Sequence, residues 1–228
     1  MDLYSTYAED FSKTRQAPWD GWKKTLKYIN SLTKPKVLDL GCGNGRFLKF
    51  LVNSGVNLGE YTGVDNSSEL LKMTDDFMHQ IQATNRLSKF ELLNLDFEDL
   101  KWGTHINQTY NLIVAFGITH HLKTVESRRQ FFNTINFLLE KDGFLIVTFW
   151  EFLKIDRYKE KLTPVVIESS QNDFEMTFGT NGAKRFCHYY NPLEIIELTS
   201  HLPLKIMEEY NEDGVENNQN HYIVYKKL

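Results

Sequence analysis

The residues with the clearest chemical potential form a glycine-rich loop at positions 41–45. The loop follows the apolar run VLDL, and a helical pattern begins directly after it. Glycines at this spacing let the backbone turn tightly and let a ligand approach the main chain. Asp39 stands just before the loop, where its carboxylate could bond the loop or the amino-acid part of a ligand. The candidate binding residues of the loop are Gly41, Cys42, Gly43 and Gly45.

Two further carboxylates follow the next two predicted strands. Asp65 ends the segment YTGVD, about twenty residues after the loop, where a carboxylate can accept both ribose hydroxyls of an adenosyl group. Asp96 follows ELLNL and could take the adenine amino group while Phe97 packs on the ring; the alternative for Asp96 is a turn or cap residue. The GxGxG spacing and these acids, in this order, predict S-adenosylmethionine instead of a dinucleotide. Asn66 and Phe116 are assigned to the same site.

The elements that must position these residues alternate in type, as in a parallel sheet with crossover helices. The predicted strands are Lys36–Leu40, Tyr61–Val64, Phe90–Leu95, Asn111–Phe116 and Gly143–Thr148. The predicted helices are Arg46–Asn53, Ser67–Ala83 and Glu126–Leu139. Lys205–Tyr210 and His221–Tyr225, joined by a polar turn, predict a terminal antiparallel hairpin. The expected fold class is α/β, with a Rossmann-like, seven-stranded, mostly parallel sheet and helices on both faces.

The chain is expected to form one domain over residues 1–228. Residues 1–34 are interpreted as an N-terminal helical lid. Residues 151–191 are less regular, and we interpret them as an insertion over the active site, at the carboxyl edge of the sheet where open α/β folds bind ligands.

The composition is that of a globular protein, with 41% hydrophobic and 25% charged residues. The first fifteen residues carry acids and have no apolar run, and the two cysteines stand far apart. These features predict a cytoplasmic protein with no membrane segment and no metal site. The net charge of -4 does not favour nucleic-acid binding. Lysines near the N-terminus leave open whether a local basic face exists or only a solvated helix surface.

Several motifs resemble known methyltransferases. VLDLGCGNGRFL, GVDNSSELL and LIVAFGITHHL resemble the class I methyltransferases in general. FSKTRQAPW, GITHHLKTVESRRQ, GFLIVTFWE and KRFCHYYNPLEI resemble the eukaryotic wobble-uridine tRNA methyltransferases, which esterify carboxymethyluridine in the anticodon loop. The resemblance implies tRNA as a partner and a small activator subunit. In the late motif Arg185 and His188 are kept, whereas Cys187 replaces an aromatic residue.

The nature of the acceptor decides which side chains are needed. A carboxylate with a pKa near 4 is already ionised at neutral pH and needs no general base, whereas an alcohol or amine does. No Asp-Pro-Pro-Tyr-like amine-methylation motif follows the fourth strand, which fits an acid. The candidate residues to position the acceptor are His120, His121, Arg185 and His188.

The N-terminal arm offers residues with several interpretations. Tyr7 and Arg15 are predicted to reach the cofactor, with Arg15 clamping its carboxylate; a phosphate contact or a surface position is the alternative. Trp19 and Trp22 could stack on a base, but a core position is favoured. Arg128 and Arg129 are interpreted as a solvated helix face, with a phosphate contact as the alternative.

Three functions therefore remain in view: a tRNA carboxyl methyltransferase, a small-molecule carboxyl or oxygen methyltransferase, and a non-catalytic cofactor-binding subunit that activates a partner. The first needs a basic face that joins the N-terminal arm to the rim of the pocket, and the second does not.

Overall fold

The computed structural model describes residues 12, 16–82, 87–167, 171–178 and 182–228. Within these residues the strands are β1 (Lys36–Leu40), β2 (Leu58–Asp65), β3 (Leu87–Asn94), β4 (Tyr110–Ala115), β5 (Leu139–Trp150), β6 (Leu162–Pro164), β7 (Asp173–Phe178), β8 (Ala183–His188), β9 (Leu204–Glu212) and β10 (Asn220–Lys227). Seven of them form one sheet in the order β3-β2-β1-β4-β5-β10-β9. Strands β1 to β5 pair in parallel, while β10 pairs antiparallel to both β5 and β9. The predicted fold class is confirmed.

The helices are α1 (Trp22–Ile29), α2 (Arg46–Asn53), α3 (Ser68–Gln82), α4 (Val125–Leu138), α5 (Asp156–Lys159) and α6 (Pro192–Thr199). They cover both faces of the large sheet and bury two apolar clusters. On one face α1, α2 and α3 pack against it, and on the other α4 and α6 do so. Strands β1 and β4 are buried along most of their length because they are covered from both sides. None of the helices in the described part of the chain is long and apolar enough to cross a bilayer.

The segment between β5 and α6 is more ordered than its sequence pattern suggested. It contains a second sheet in the order β6-β7-β8, with both pairs antiparallel. Trp150 and Phe152 form a small core beneath this sheet together with Met176 and Cys187. The strands are short and only partly buried, so their sequences lack the continuous apolar runs of the central strands. This second sheet stands where the insertion was expected.

Helix α1 is the described helix within residues 1–34, which were interpreted from the sequence as a lid. Trp22 and Ile29 lie on one face of the helix and are buried against the large sheet. On its outer side Lys24 pairs with Glu212 at 2.5 Å and Lys27 with Glu208 at 3.0 Å. Helix α1 is therefore part of the domain core. Tyr7 and Arg15 lie outside the described residues, so their predicted contacts with the cofactor stay predictions.

A buried carboxylate joins the start of α1 to the β9–β10 hairpin. Asp213, in the turn of the β9–β10 hairpin, is 6% exposed and has a positive φ of 69°. It accepts hydrogen bonds from the backbone N–H of Gly21 at 3.0 Å, from the amide of Asn220 at 2.9 Å and from the hydroxyl of Tyr222 at 2.6 Å. Three donors satisfy a buried charge that would otherwise be costly. The start of α1 is thereby fixed to the last hairpin.

Candidate active site

A cavity of about 1260 Å³ opens at the carboxyl edge of the large sheet. The glycine loop and Asp65 form one end of it. The second sheet forms the other end through Arg185, with His120 and Trp150 among the lining residues. A single small ligand occupies a cleft of roughly 300 to 1,000 Å³. The cavity is therefore large enough for a cofactor and an acceptor side by side.

The backbone of the glycine loop leaves open space for a ligand. Gly43 has φ 54°, and a Cβ placed there would meet no atom within 4 Å. Gly45 has φ 71°, and a Cβ there would lie 2.9 Å from the side chain of Thr74. The Thr74 hydroxyl also donates to the carbonyl of Gly43 at 2.8 Å and so holds the loop in place. The loop forms a cradle that a ligand can approach closely.

Asp65 lies at the end of β2 directly beside this cradle. One carboxylate oxygen accepts the N–H of Gly43 at 2.9 Å, and the other accepts the N–H of Ser67 at 2.9 Å. A carboxylate oxygen has two lone pairs and can accept more than one hydrogen bond. Asp65 is only partly buried and lines the cavity, as does the exposed Asn66. The geometry suits two ribose hydroxyls.

Asp39 is the most buried acid at this end of the cavity, with 2% of its surface exposed. Its partner is the hydroxyl of Tyr61, which donates at 2.7 Å, and not an amide of the loop. Burial raises the pKa of Asp39 to about 7, and the nearby charge of Asp65 adds to this effect. A ligand ammonium group beside Asp39 would favour its ionised form.

Asp96, Phe97 and Phe116 line the cavity but also have structural roles. Asp96 is exposed and accepts the N–H of Glu98 at 3.0 Å, which is the turn role that the sequence left open. Phe97 and Phe116 are 6% and 9% exposed, and their rings pack in the two apolar clusters. They can offer a ring edge to a ligand. Together with Gly43 and Asp65, these groups fit the S-adenosylmethionine predicted from the sequence.

Two adjacent histidines lie towards the second sheet. The His120 ring is 5% exposed and lies 4.1 Å from the ring of His121 and 4.9 Å from that of Trp150. Its Nδ1 atom is buried and has no hydrogen-bond partner within the described residues. His121 is oriented by the main chain of β8, because its Nδ1 lies 3.2 Å from the carbonyl oxygen of Phe186.

Arg185, on β8, brings a positive charge to these histidines. Its guanidinium lies 4.8 Å from the centroid of the Trp150 ring, which is a cation–π contact. Burial lowers the pKa of His120 well below its usual value, and the neighbouring charges lower it further. Burial, followed by the charge of Arg185, lowers the pKa of His121 to about 3. Both imidazoles are neutral at pH 7.

The structure does not place His188 with the other predicted acceptor residues. It is 1% exposed and does not line the cavity. Its Nδ1 lies 2.5 Å from Asp173, and its Nε2 lies 2.9 Å from Glu194. The end of β8 turns into the protein interior, so the predicted substrate contact of His188 is wrong.

Two other interpretations can be decided. Arg128 is 2% exposed and forms an ion pair with Glu194 at 3.0 Å, so it is not part of a solvated helix face; Arg129 is exposed as expected. Trp22 is a core residue, as favoured. Trp19 is half-buried, lines the cavity and stacks on Trp22 with ring centroids 5.4 Å apart.

Sequence analysis missed three residues that shape the site. Thr74 supports the glycine loop, and the ring of Trp150 packs against the guanidinium of Arg185. The guanidinium of Arg46 lies 5.2 and 5.3 Å from the ring centroids of Trp19 and Trp22. For Trp150 a signal was present, because it ends the fifth strand at the carboxyl edge of the sheet. Nothing in the local sequence identifies Thr74, which reaches the loop from the middle of α3.

Comparison with known proteins gives a consistent picture. A family model described as a methyltransferase domain matches residues 38–145. A tRNA (carboxymethyluridine(34)-5-O)-methyltransferase of Arabidopsis thaliana is 27% identical over 150 residues, and the match covers 65% of this chain but only 31% of that relative. A relative from Encephalitozoon cuniculi is 24% identical over 213 residues, 92% of this chain and 89% of the relative, and its name gives a methyltransferase without a substrate.

The fold has close parallels among solved structures. An S-adenosylmethionine-dependent methyltransferase from Clostridium acetobutylicum superimposes with a TM-score of 0.70, and the match covers 99% of both chains at 16% identity. This similarity concerns the fold, since the identity is low.

Proposed function

We propose that this class I, S-adenosylmethionine-dependent methyltransferase esterifies a carboxylate, and that the carboxylate belongs to a carboxymethyl group on a wobble uridine of tRNA. One observation carries the chemical part of the proposal. The acceptor end of the cavity combines a guanidinium, Arg185, with two imidazoles whose pKa values are strongly lowered.

The residues at the other end of the cavity would each bind a different part of the cofactor. Asp65 would accept the ribose hydroxyls, Asp39 would face the ammonium of the methionine part, and the backbone at Gly43 would lie against the cofactor. Asp96 would accept a hydrogen bond from the adenine amino group. When bound, S-adenosylmethionine supplies an electrophilic methyl group on a sulfonium.

The lowered pKa values argue against an acceptor that must first lose a proton. An efficient general base has a pKa near the working pH, whereas His121 has a pKa of about 3. An alcohol or an ammonium group would therefore find a poor base in either histidine. A carboxylate arrives without a proton to lose. Arg185 can orient it through charge-assisted hydrogen bonds, and Trp150 holds the guanidinium in place.

The tRNA part of the proposal is supported by the relatives and by the motifs around His121 and Arg185. The Arabidopsis relative is named for this substrate, but the present chain spans less than a third of its length. Lys123 and Lys161 are exposed and line the cavity, so cations are available at its rim for a phosphate backbone; Lys184 also lines it but pairs with Glu175 at 3.1 Å. A small activator subunit is part of the same proposal.

A small carboxylic acid is the second candidate acceptor, and one observation favours it. Four described lysines of the N-terminal region are paired with acids: Lys23 with Asp20, Lys24 with Glu212, Lys27 with Glu208 and Lys36 with Glu140. These pairs reduce the basic face that would join the N-terminal arm to the cavity rim. A small acid does not need such a face.

The test is a transfer assay with radiolabelled S-adenosylmethionine and tRNA from a strain that lacks its own wobble methyl esters. Nucleoside mass spectrometry then locates the methyl group, and a mild-base wash identifies an ester. Base-labile label on a wobble uridine is the expected result. If tRNA stays unlabelled with and without an activator subunit while calorimetry shows cofactor binding, the tRNA proposal fails, and a screen of small carboxylic acids follows.

A further inference from the structure

We infer that His188 is a positioning residue: a buried ionic cluster around it sets the two cavity histidines against the strand that carries Arg185. This inference rests on the proposed function, which places His120 and His121 at the acceptor end of the cavity. The ionic cluster consists of Arg128, Asp173, His188 and Glu194. We call residues 117–123, which follow β4 and carry His120 and His121, the histidine loop.

The ionic cluster is almost completely removed from solvent. Arg128, Asp173 and His188 are 2%, 0% and 1% exposed. His188 lies between two carboxylates, with Nδ1 2.5 Å from Asp173 and Nε2 2.9 Å from Glu194. Arg128 approaches the same Glu194 at 3.0 Å. Two carboxylates therefore face a guanidinium and an imidazole inside the protein.

The ionic cluster contacts the histidine loop directly through Arg128 and indirectly through Tyr190, which packs on His188. Arg128 donates from Nη1 to the carbonyls of Leu122 at 3.2 Å and Lys123 at 3.1 Å, at the end of the loop. Tyr190 packs its ring 4.7 Å from that of His188 and donates its hydroxyl to the carbonyl of Thr119 at 2.8 Å. His120 and His121 lie between these two points.

The same cluster fixes the second sheet. Asp173 begins β7, His188 ends β8, and the two residues are paired in register. Three positions before His188, on the same strand, Arg185 lines the cavity, and the carbonyl of Phe186 orients His121. The histidine loop and β8 are thus joined twice, once at the cavity and once at the ionic cluster. The two joints define the position of His121 relative to Arg185.

An ionic cluster is well suited to this task. Breaking one pair in a buried cluster leaves a charge without compensation, so the geometry of the cluster tolerates few alternatives. Apolar packing alone would allow more adjustment, because side chains of similar volume can repack. A shift of about 1 Å at the reacting groups can cost roughly a hundredfold in rate. The inference therefore predicts an effect on the acceptor and not on the cofactor.

The experiment compares His188→Gln and Glu194→Gln with the control Tyr110→Phe. Tyr110 is fully buried, and its hydroxyl donates to Thr62 at 3.0 Å at the opposite end of β4. The control thus loses a buried hydrogen bond without touching the histidine loop. For each variant we would measure amide hydrogen exchange of a peptide covering residues 117–123, the cofactor Kd by calorimetry, and kcat and KM for the tRNA acceptor.

We expect exchange in the histidine loop to accelerate at least about tenfold in both cluster variants and to stay near wild type in the control. The cofactor Kd should change less than about twofold, and kcat/KM for the acceptor should fall at least about tenfold. Unchanged loop exchange in a folded cluster variant would overturn the inference, and so would an equal acceleration in the control. If His188→Gln does not fold, Glu194→Gln decides, since it keeps the contact between His188 and Asp173.

The exchange measurement separates this inference from the proposed function. It needs no acceptor, so it gives an answer even if wild-type protein does not methylate tRNA. Failure on tRNA with accelerated loop exchange would refute the substrate and retain the positioning role. Methylation of tRNA with unchanged loop exchange would retain the substrate and refute the positioning role.

Discussion

The raised pKa of Asp39 predicts that cofactor affinity depends on pH in a specific direction. Burial raises the pKa of this carboxyl to about 7, so much of the free protein carries a neutral Asp39 below neutrality. The ammonium group of the cofactor is stabilised only by the ionised form. Affinity should therefore increase as the pH rises towards 7 and then level off.

The size of the effect follows from the ionised fraction of Asp39. With a pKa of about 7 that fraction is roughly 3% at pH 5.5 and about 50% at pH 7. Affinity should therefore increase about fifteenfold over this interval, equivalent to about 1.6 kcal/mol. The interval ends before an α-amino group, with a pKa near 8, begins to lose its own proton. Cys42 and Tyr61 near Asp39 have raised pKa values, so both stay neutral over this interval.

The assay is isothermal titration calorimetry with S-adenosylhomocysteine, the product form, between pH 5.5 and 7. Asp39→Asn removes the titrating group and keeps the hydrogen-bonding shape towards Tyr61, so its affinity should be low and nearly independent of pH. A wild-type affinity that is flat across the interval would refute the argument. A wild-type slope that persists in Asp39→Asn would assign the titration to another group.

The same shift has the opposite sign for stability. Because the pKa of Asp39 is higher in the folded than in the unfolded protein, the folded state holds more protons between about pH 4 and 7. The free energy of unfolding of the cofactor-free protein should therefore fall as the pH rises through this range. Asp39→Asn should reduce this dependence of the free energy of unfolding on pH, measured by urea denaturation at several pH values. An unchanged pH dependence in Asp39→Asn would show that other titrating groups dominate it.

Three further changes test other parts of the site. Asp65→Ala should weaken cofactor binding about tenfold to a hundredfold, because it removes charged acceptors beside Gly43; an unchanged calorimetric Kd would remove Asp65 from the ribose site. Arg185→Ala should lower kcat at saturating cofactor at least about tenfold with the cofactor Kd unchanged, and loss of cofactor affinity alone would contradict the acceptor role. Gly45→Ala should destabilise the protein by about 1 to 3 kcal/mol in urea denaturation, because φ is 71° and Thr74 is too close; wild-type stability would show that the loop adapts without cost.

The cofactor half of the site could be predicted because its signals are local. Strand β1 and helix α2 have the predicted bounds, Lys36–Leu40 and Arg46–Asn53. A short apolar run, a loop of glycines and an apolar helical face follow one another without interruption, so neighbouring residues determine the turn between them. The parallel order of β1 to β5 places Asp39, Asp65 and Asp96 at one edge whatever the lengths of the connections.

The acceptor half could be predicted only in part because its partners are distant in sequence. Arg128 is buried by its pair with Glu194, and His188 by its contacts with Glu194 and Asp173. The charge of Arg128 and its place beside the exposed Arg129 favoured the interpretation that both arginines face solvent. One signal was available: Arg128 shares a helical face with Phe131, Phe132 and Ile135, all of which are buried. The helical spacing thus indicated that Arg128 faces inward, although its charge favoured an exposed position.

The bond between Asp213 and Gly21 has a consequence for the order in which the domain is assembled. It joins residues 192 positions apart in the sequence. During synthesis the N-terminal end of α1 therefore cannot acquire this contact until Asp213 has been made. Such long-range closure is slow, because the entropy of the intervening chain must be lost first. The tryptophans at 19 and 22, next to Gly21, would give a fluorescence signal for this late step in refolding.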